Sequence, residues 1–198
     1  MDDSPSTRPS LLVRLRDGRD GQAWTCFVEV YGPLIYRFAR KKGLQDADAA
    51  DVMQDVLRIV AEAIKQLEYD SRRGSFRAWL FTVVRNRLLR FWSRQDRAGR
   101  GTGDSSVHQK LHEIPAAEVP PDAVWDEEFV RCRFAWAAKV VRGQVQPATW
   151  EAFWKTAIEG RTGQEVAQAL GISVAAVYLA KSRVMARLKE QLRKVLND

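Results

Sequence analysis

The stretch Gly163–Ser182, GQEVAQALGISVAAVYLAKS, constrains this chain more than any other. Val166, Ala167 and Leu170 recur at helical spacing, Gly171-Ile172-Ser173 interrupts, and Val177, Ala180 and Val184 resume the period. Gly171 suits the left-handed conformation that ends one helix, and Ser173 suits the cap of the next. Ala167 is small where two crossed helices must approach, and Ile172 and Val177 plug the angle between them. An ordinary helical hairpin in a core has the same period. The small residue, glycine, apolar plug and cap at these offsets, in a basic chain, instead predict a helix-turn-helix whose second helix enters the DNA major groove. Tyr178, Leu179, Ser182 and Arg183 then face the groove, opposite Val177, Ala180 and Val184. Arg183 is the candidate guanine contact, Leu179 the candidate for a thymine methyl, and Arg187 a phosphate contact.

The 198 residues suffice for two small domains, each with a core. Thirty-two basic against 25 acidic side chains leave a formal charge of +7, which favours an acidic partner, nucleic acid being the commonest. A solvated basic surface alone would not assign a function. Cys26 and Cys132 lie far apart on apolar helix faces and read as buried thiols, which suits a reducing compartment. No signal peptide and no bilayer-length apolar run are evident, so a soluble, cytoplasmic protein without membrane insertion is expected.

Met1–Pro9 is Ser/Pro-rich and expected to be disordered, with a short helix over Ser10–Arg16; residues 1–19 form an N-terminal extension. Helix formers run from about Gln22 to Lys42, with Trp24, Phe27, Val28, Tyr31, Ile35 and Phe38 on one side. Gly32-Pro33 predicts a kink or a split there. In the next helix Val52, Val56, Ile59, Val60, Ala63, Ile64 and Leu67 follow the 3.6 period. Its other face opens acidic with Asp46, Asp48, Asp51 and Asp55. Acids in a first turn suit the helix dipole, and with Gln54 and Arg58 the same face could equally dock a basic partner.

Tyr69–Ser75, YDSRRGS, reads as a loop, and Ser75 caps a third helix running to about Arg97 with Phe76, Leu80, Val84, Leu88 and Phe91 as its buried stripe. Between Ser71 and Gly103 nine arginines face the single acid Asp96. Arg87, Arg90, Arg94 and Arg97 share a helical face, interleaved with Trp79, Phe91 and Trp92. That pattern fits phosphate contacts and base stacking on single-stranded nucleic acid; a solvated arginine face over core aromatics is the alternative. Residues 98–121 lose all periodicity and read as a flexible linker. His108 and His112 within it have helical metal-ligand spacing but no third ligand nearby, so no metal is expected.

Four helices follow. Asp122–Arg142 carries Trp125, Phe129, Cys132 and Trp136 on one face. Pro147 opens a helix burying Trp150, Phe153, Trp154, Ala157 and Ile158, with its tryptophans expected in the core. The two helices of the opening stretch come last, the second made basic by Lys181, Arg183, Arg187, Lys189, Arg193 and Lys194. The fold class is therefore all-α: two small helical domains, 20–97 and 122–198, joined by a flexible linker, the second carrying the helix-turn-helix.

Both halves resemble the small two-domain, extracytoplasmic-function sigma factors of bacterial RNA polymerase. In the first half the resemblance rests on Phe27-x-x-x-Tyr31, Tyr36-x-Phe38-Ala39-Arg40, Asp51-Val52-Met53-Gln54-Asp55-Val56, and Gly74-Ser75-Phe76-Arg77-Ala78-Trp79-Leu80 running on to Arg85-Asn86. In the second it rests on Ile158-Glu159-Gly160, Glu165-Val166-Ala167, Leu170-Gly171-Ile172, and Lys181-Ser182-Arg183 through Arg187-Leu188. The family pattern is broken at Tyr178-Leu179-Ala180, where a Lys/Arg-Ser-Arg run is usual, and before Trp150, where a Leu-Pro-x-x-x-Arg entry is missing. Val52-Met53-Gln54-Asp55 replaces the usual Leu-Val-Gln-Glu conservatively.

The resemblance implies roles. Asp48, Asp51, Gln54, Asp55 and Arg58 would dock on the polymerase clamp helices. Tyr69, Asp70, Ser71, Arg72, Arg73, Arg77, Asn86, Arg90 and Arg94 would recognise and open the minus-ten element, binding its melted non-template strand. Ser173, Tyr178, Leu179, Ser182, Arg183 and Arg187 would read the minus-thirty-five element as duplex. Core RNA polymerase and promoter DNA are the implied partners, with an anti-sigma factor as a further one; no catalytic residue, cofactor or small-molecule substrate is implied. A free-standing helix-turn-helix regulator would leave the acidic helix and the arginine-rich helix unexplained. An enzyme would need more than carboxylates on one solvated helix face without a paired histidine.

Overall fold

The computed structural model describes residues 11–65, 76–98 and 122–196. The expectations for 1–10, for the loop 66–75 and for the linker 99–121, including Tyr69, Asp70, Ser71, Arg72, Arg73, His108 and His112, lie outside the described residues. Every described element is an α-helix: α1 (Leu11–Arg16), α2 (Gly21–Lys41), α3 (Asp46–Ala63), α4 (Phe76–Ala98), α5 (Ala123–Arg142), α6 (Pro147–Ala157), α7 (Gly163–Leu170) and α8 (Val174–Leu196). The chain divides into two compact units, residues 1–132 and 133–197. The division falls inside α5.

In the N-terminal unit, α2 is the central helix. Asp20 caps it by accepting from the Ala23 amide at 2.9 Å and is itself held by Arg14 Nε at 2.8 Å. The helix runs unbroken through Pro33, where the sequence predicts a kink or split. Burial accounts for this: Val30, Tyr31, Gly32, Leu34 and Ile35 are all buried around the proline, so packing outweighs the single backbone bond that proline removes. Val28, expected on the apolar side, is exposed, while Ala23, Val30, Leu34 and Ala39 are buried in the stripe.

α3 packs on α2 through Ala49, Val52, Val56 and Val60, and Ile64 just past its end is also buried. α4 is buried more broadly than a one-sided stripe: Phe76, Leu80, Phe81, Thr82, Val83, Val84 and Leu88 are all buried. Phe81 makes the second face because the first turns of α5 lie in this same unit. Trp125 is fully buried and meets Phe38 at 5.2 Å and Phe81 at 5.5 Å between ring centroids. Phe129 lies 5.9 Å from Tyr31. Three charged contacts bind the same segment: Lys42 Nζ to Asp122 at 2.7 Å, Lys41 Nζ to Glu128 at 2.8 Å, and Arg77 to Asp126 at 3.3 Å.

The C-terminal unit is built by local signals. A capping box opens α7, with the Glu165 amide donating to Thr162 Oγ1 at 3.3 Å and the Thr162 amide donating to Glu165 at 2.8 Å. Gly171 closes α7 at φ 63°, ψ 33°, the left-handed region that a Cβ disfavours. Ser173 Oγ accepts from the Ala176 amide at 3.1 Å and opens α8. The helices bend by 103° at this turn. Ala152, Val166, Ala167, Val177 and Ala180 form the core between α6, α7 and α8, with Leu170 and Ile172 against it. Phe153 is buried, but Trp150 and Trp154 are half-buried and Ile158 is exposed, against the expectation of a fully apolar face.

Candidate functional site

On α8 the predicted DNA face stands clear. Tyr178 and Leu179 are 56 % and 57 % exposed, and Ser182 and Arg183 are exposed beside them, while Val177, Ala180 and Val184 on the opposite side are buried. Ser173 is exposed at the helix start while it caps. Tyr178 does not hang free: its hydroxyl lies 2.9 Å from where a Cβ at Gly163 would sit, so the glycine gives the ring its place across the start of α7. Arg187 is exposed, yet one of its nitrogens donates to the Gln144 carbonyl at 2.6 Å just past the end of α5. A guanidinium has five donors, so a phosphate contact from the others is compatible with this bond.

The N-terminal candidates are arranged differently. α3 and α4 pack so that a cleft of about 520 Å³ is lined by Asp51, Val52, Gln54 and Asp55 from one helix and Arg87, Arg90, Phe91 and Arg94 from the other. Two residue sets that the sequence assigns to separate roles therefore share one cleft. Asp55, expected on a solvated face, pairs with Arg87 across it and with Arg58 at 3.4 Å. Arg87 is only 10 % exposed, so it is a packed, paired residue rather than part of an open arginine face. Burial pushes the Arg90 guanidinium below its ordinary value, and its neighbours Arg87 and Arg94 push it further. An anion placed there would relieve that crowding. Asp48 is half-buried in the first turn of α3, Asp51 and Gln54 are exposed, and Asn86 is half-buried on α4.

Arg77, at the start of α4, is engaged as well. Its guanidinium lies 5.1 Å over the Phe129 ring and 3.3 Å from Asp126. The chain turns acidic over Asp122–Glu128, but no sequence pattern names Lys41, Lys42 or Arg77 as the partners of those acids. Glu128 is 2 % exposed, with Lys41, Arg131 at 3.9 Å and Arg37 at 4.0 Å around it.

A third feature is a cleft of about 1020 Å³ in the C-terminal unit, where Trp150 and Trp154 stack 5.8 Å apart beside Phe134, Lys139 and Arg142. Among the described residues no group of three or more His, Cys, Asp or Glu could hold a metal ion, and no single helix is long and apolar enough to cross a membrane. Cys132 is buried and Cys26 half-buried, and burial raises both thiols.

Residues 27–98 match the sigma-70 region 2 family, a span that contains α3, α4 and the cleft between them. Over nearly its whole length the chain is similar to the RNA polymerase sigma factor NccH of Alcaligenes xylosoxydans xylosoxydans, 28 % identical over 186 residues that cover 93 % of this chain and 94 % of that one. That match and this likeness support an RNA polymerase sigma factor of the extracytoplasmic-function type. Such factors bind core RNA polymerase and direct it to promoters, which supports that function rather than a free-standing regulator. The chain is also 28 % identical over 195 residues to the RNA polymerase sigma factor CnrH of Cupriavidus metallidurans, covering 96 % of both chains. The structure of CnrH in complex with the cytosolic domain of CnrY aligns over 92 % of this chain and 95 % of that chain, at 26 % identity and a TM-score of 0.36.

Proposed function

We propose that the N-terminal unit holds both the polymerase and the melted promoter strand, and that the C-terminal unit reads the minus-thirty-five duplex. Asp48, Asp51, Gln54 and Arg58 dock on the polymerase clamp, and Asp55 contributes while bridging to α4. Arg77, Asn86, Arg90 and Arg94 hold the non-template strand, and the loop Tyr69–Arg73 receives a flipped base. On α8, Arg183 reads a guanine, Leu179 packs on a thymine methyl, Tyr178, Ser182 and Ser173 complete the contact, and Arg187 holds a phosphate. The factor supplies no bond-making chemistry and needs no cofactor; it works in the cytoplasm with the polymerase. CnrH has a partner domain, and an anti-sigma partner is assigned to this chain too.

The observation that carries this reading is the shared α3–α4 cleft. A factor that opens DNA without ATP must stabilise the open strand by binding it. Unstacking one base costs a few kcal/mol, and stacking it on a side chain returns about 1–3 kcal/mol, so backbone arginines have to supply the rest. Placing those arginines against the polymerase-docking face lets docking and strand capture share one rigid helix pair. The test replaces Tyr69–Arg73 with a Gly/Ser linker and follows permanganate reactivity of the minus-ten thymines. Polymerase binding and the minus-thirty-five footprint should persist while strand opening disappears; normal opening would refute the base-capture role.

A further inference from the structure

The first three turns of α5 touch the strand-holding face of the N-terminal unit in a way that a passive packing element would not need. Trp125 and Glu128 anchor the segment, the first between Phe38 and Phe81, the second beside Lys41. Next to those anchors, Asp126 and Phe129 close on Arg77. Asp126 offers Arg77 a carboxylate on one side and Phe129 a ring face on the other. These are the two kinds of contact, an anionic oxygen and a π surface, that a nucleic-acid strand would offer the same guanidinium.

The grip on Arg77 is incomplete. Asp126 Oδ1 is buried and lies 3.3 Å from Arg77, yet it accepts no hydrogen bond, so the pair is held by charge alone at a distance where a bond could form. Trp125 is fully buried, and its indole N–H also lacks a partner. Each unsatisfied buried group weakens the docked arrangement. A phosphate oxygen meeting Arg77 with full hydrogen-bond geometry would therefore displace Asp126 at little cost, whereas Trp125 and Glu128 would stay in place.

We infer that this segment of α5 is a built-in competitor of the promoter strand, in which Asp126 and Phe129 occupy Arg77 until the strand's phosphate replaces them. The inference rests on the assignment of Arg77 to the strand backbone. The acidic run at the start of α5 thereby lowers the affinity of the free factor for single strands, so that strand capture depends on the polymerase presenting the strand at high local concentration.

The test uses the full chain and a labelled single-stranded oligothymidylate, with binding followed by fluorescence anisotropy. Asp126→Asn keeps the shape and removes the charge opposite Arg77; affinity should rise about twofold to fivefold, the range of a partly exposed ion pair. Glu127→Gln removes an equal charge one residue away, from a pair with Arg131 at 2.7 Å, and should gain clearly less. In an Arg77→Ala background the Asp126→Asn gain should vanish. Equal gains from Asp126→Asn and Glu127→Gln, no gain at all, or a gain that survives without Arg77 would each overturn the inference. A parallel measurement separates it from the underlying assignment: holoenzyme carrying Arg77→Ala should open a promoter less well. If opening falls but Asp126→Asn gains nothing, only the competitor idea fails. If opening is unaffected, the strand role of Arg77 fails with it.

Discussion

The α8 face and the α4 face are both proposed to meet DNA, and they hold their side chains in opposite ways. On α8, Tyr178, Leu179, Ser182 and Arg183 project from a helix whose other side is closed by small apolar residues, and most of that face is exposed. On α4, Arg87 is nearly buried against Asp55, Arg77 is covered by Asp126 and Phe129, and Arg90 is crowded by its neighbours. A duplex groove can be read by a helix that stays as it is. A single strand has to be held by groups that are stable without it, and an arginine array with no internal acids would repel itself. Asp55 of α3 pairs with Arg87 and Asp126 of α5 with Arg77, which offsets part of that repulsion in the free protein.

That contrast can be broken most severely at Trp125. Trp125→Ala removes the aromatic anchor between Phe38 and Phe81 and should destabilise the N-terminal unit by about 3–5 kcal/mol. The matching exposed substitution on the other face, Leu179→Ala, should change stability by less than about 0.5 kcal/mol. Urea unfolding of the two variants measures both. Asp55→Ala comes next: it strands the nearly buried Arg87 and should cost about 1–3 kcal/mol, while Asp51→Ala on the exposed side of α3 costs almost nothing. Polymerase affinity compared after that correction separates docking from folding, because loss in Asp51→Ala at full stability can only be docking.

On the α8 side, Arg183→Ala should cost about 1–3 kcal/mol in minus-thirty-five binding and relax the preference at one base pair. Arg187→Ala should weaken all sequences alike and lower the salt slope by about one unit; a sequence-specific loss at Arg187 would mean that the helix is rotated relative to this assignment. Gly163→Ala gives a subtler probe. Its new Cβ would come within 2.9 Å of the Tyr178 hydroxyl and 3.0 Å of its ring, an exposed side chain that can swing away. Folding stability should hold while binding selectivity among promoter variants changes.

The smallest effect is a pH dependence. Burial alone would raise the Asp122 carboxyl, but hydrogen bonds from Lys42 and the Trp125 amide hold it below its ordinary value. A carboxyl depressed on folding contributes stability that is fully present above its unfolded pKa of about 3.9 and is lost as the pH falls through the lower folded value. Asp122→Asn should thus lower the urea midpoint at pH 7 slightly and leave it unchanged at the acid end of that range.

The two regions also differ in how far residues alone disclosed them. The α7–α8 turn was legible because its causes are local: Gly171 takes the left-handed conformation and Ser173 caps the next helix, while the equally local Thr162–Glu165 capping box was not singled out. The packing of α5 onto α2 and α4 was not, because it depends on partners such as Lys42 and Asp122, 80 positions apart. Periodicity identified Trp125 and Phe129 as a buried face but not the helix they would meet. For the same reason, spacing placed Arg77 and Arg87 on α4 and assigned them to solvent or phosphate, since no local pattern reveals a carboxylate arriving from another helix. Pro33 shows the converse: the local signal for a kink or a split does not split the helix, because residues on both sides of it are buried.

The division of labour between the two units is tested most directly by permanganate and hydroxyl-radical footprints on one promoter with reconstituted holoenzyme. Arg90→Ala combined with Arg94→Ala should abolish thymine reactivity in the minus-ten element while the minus-thirty-five footprint remains. Arg183→Ala should weaken the minus-thirty-five footprint while opening survives at saturating holoenzyme. Loss of the minus-thirty-five footprint in the α4 variant, with opening retained, would contradict the account.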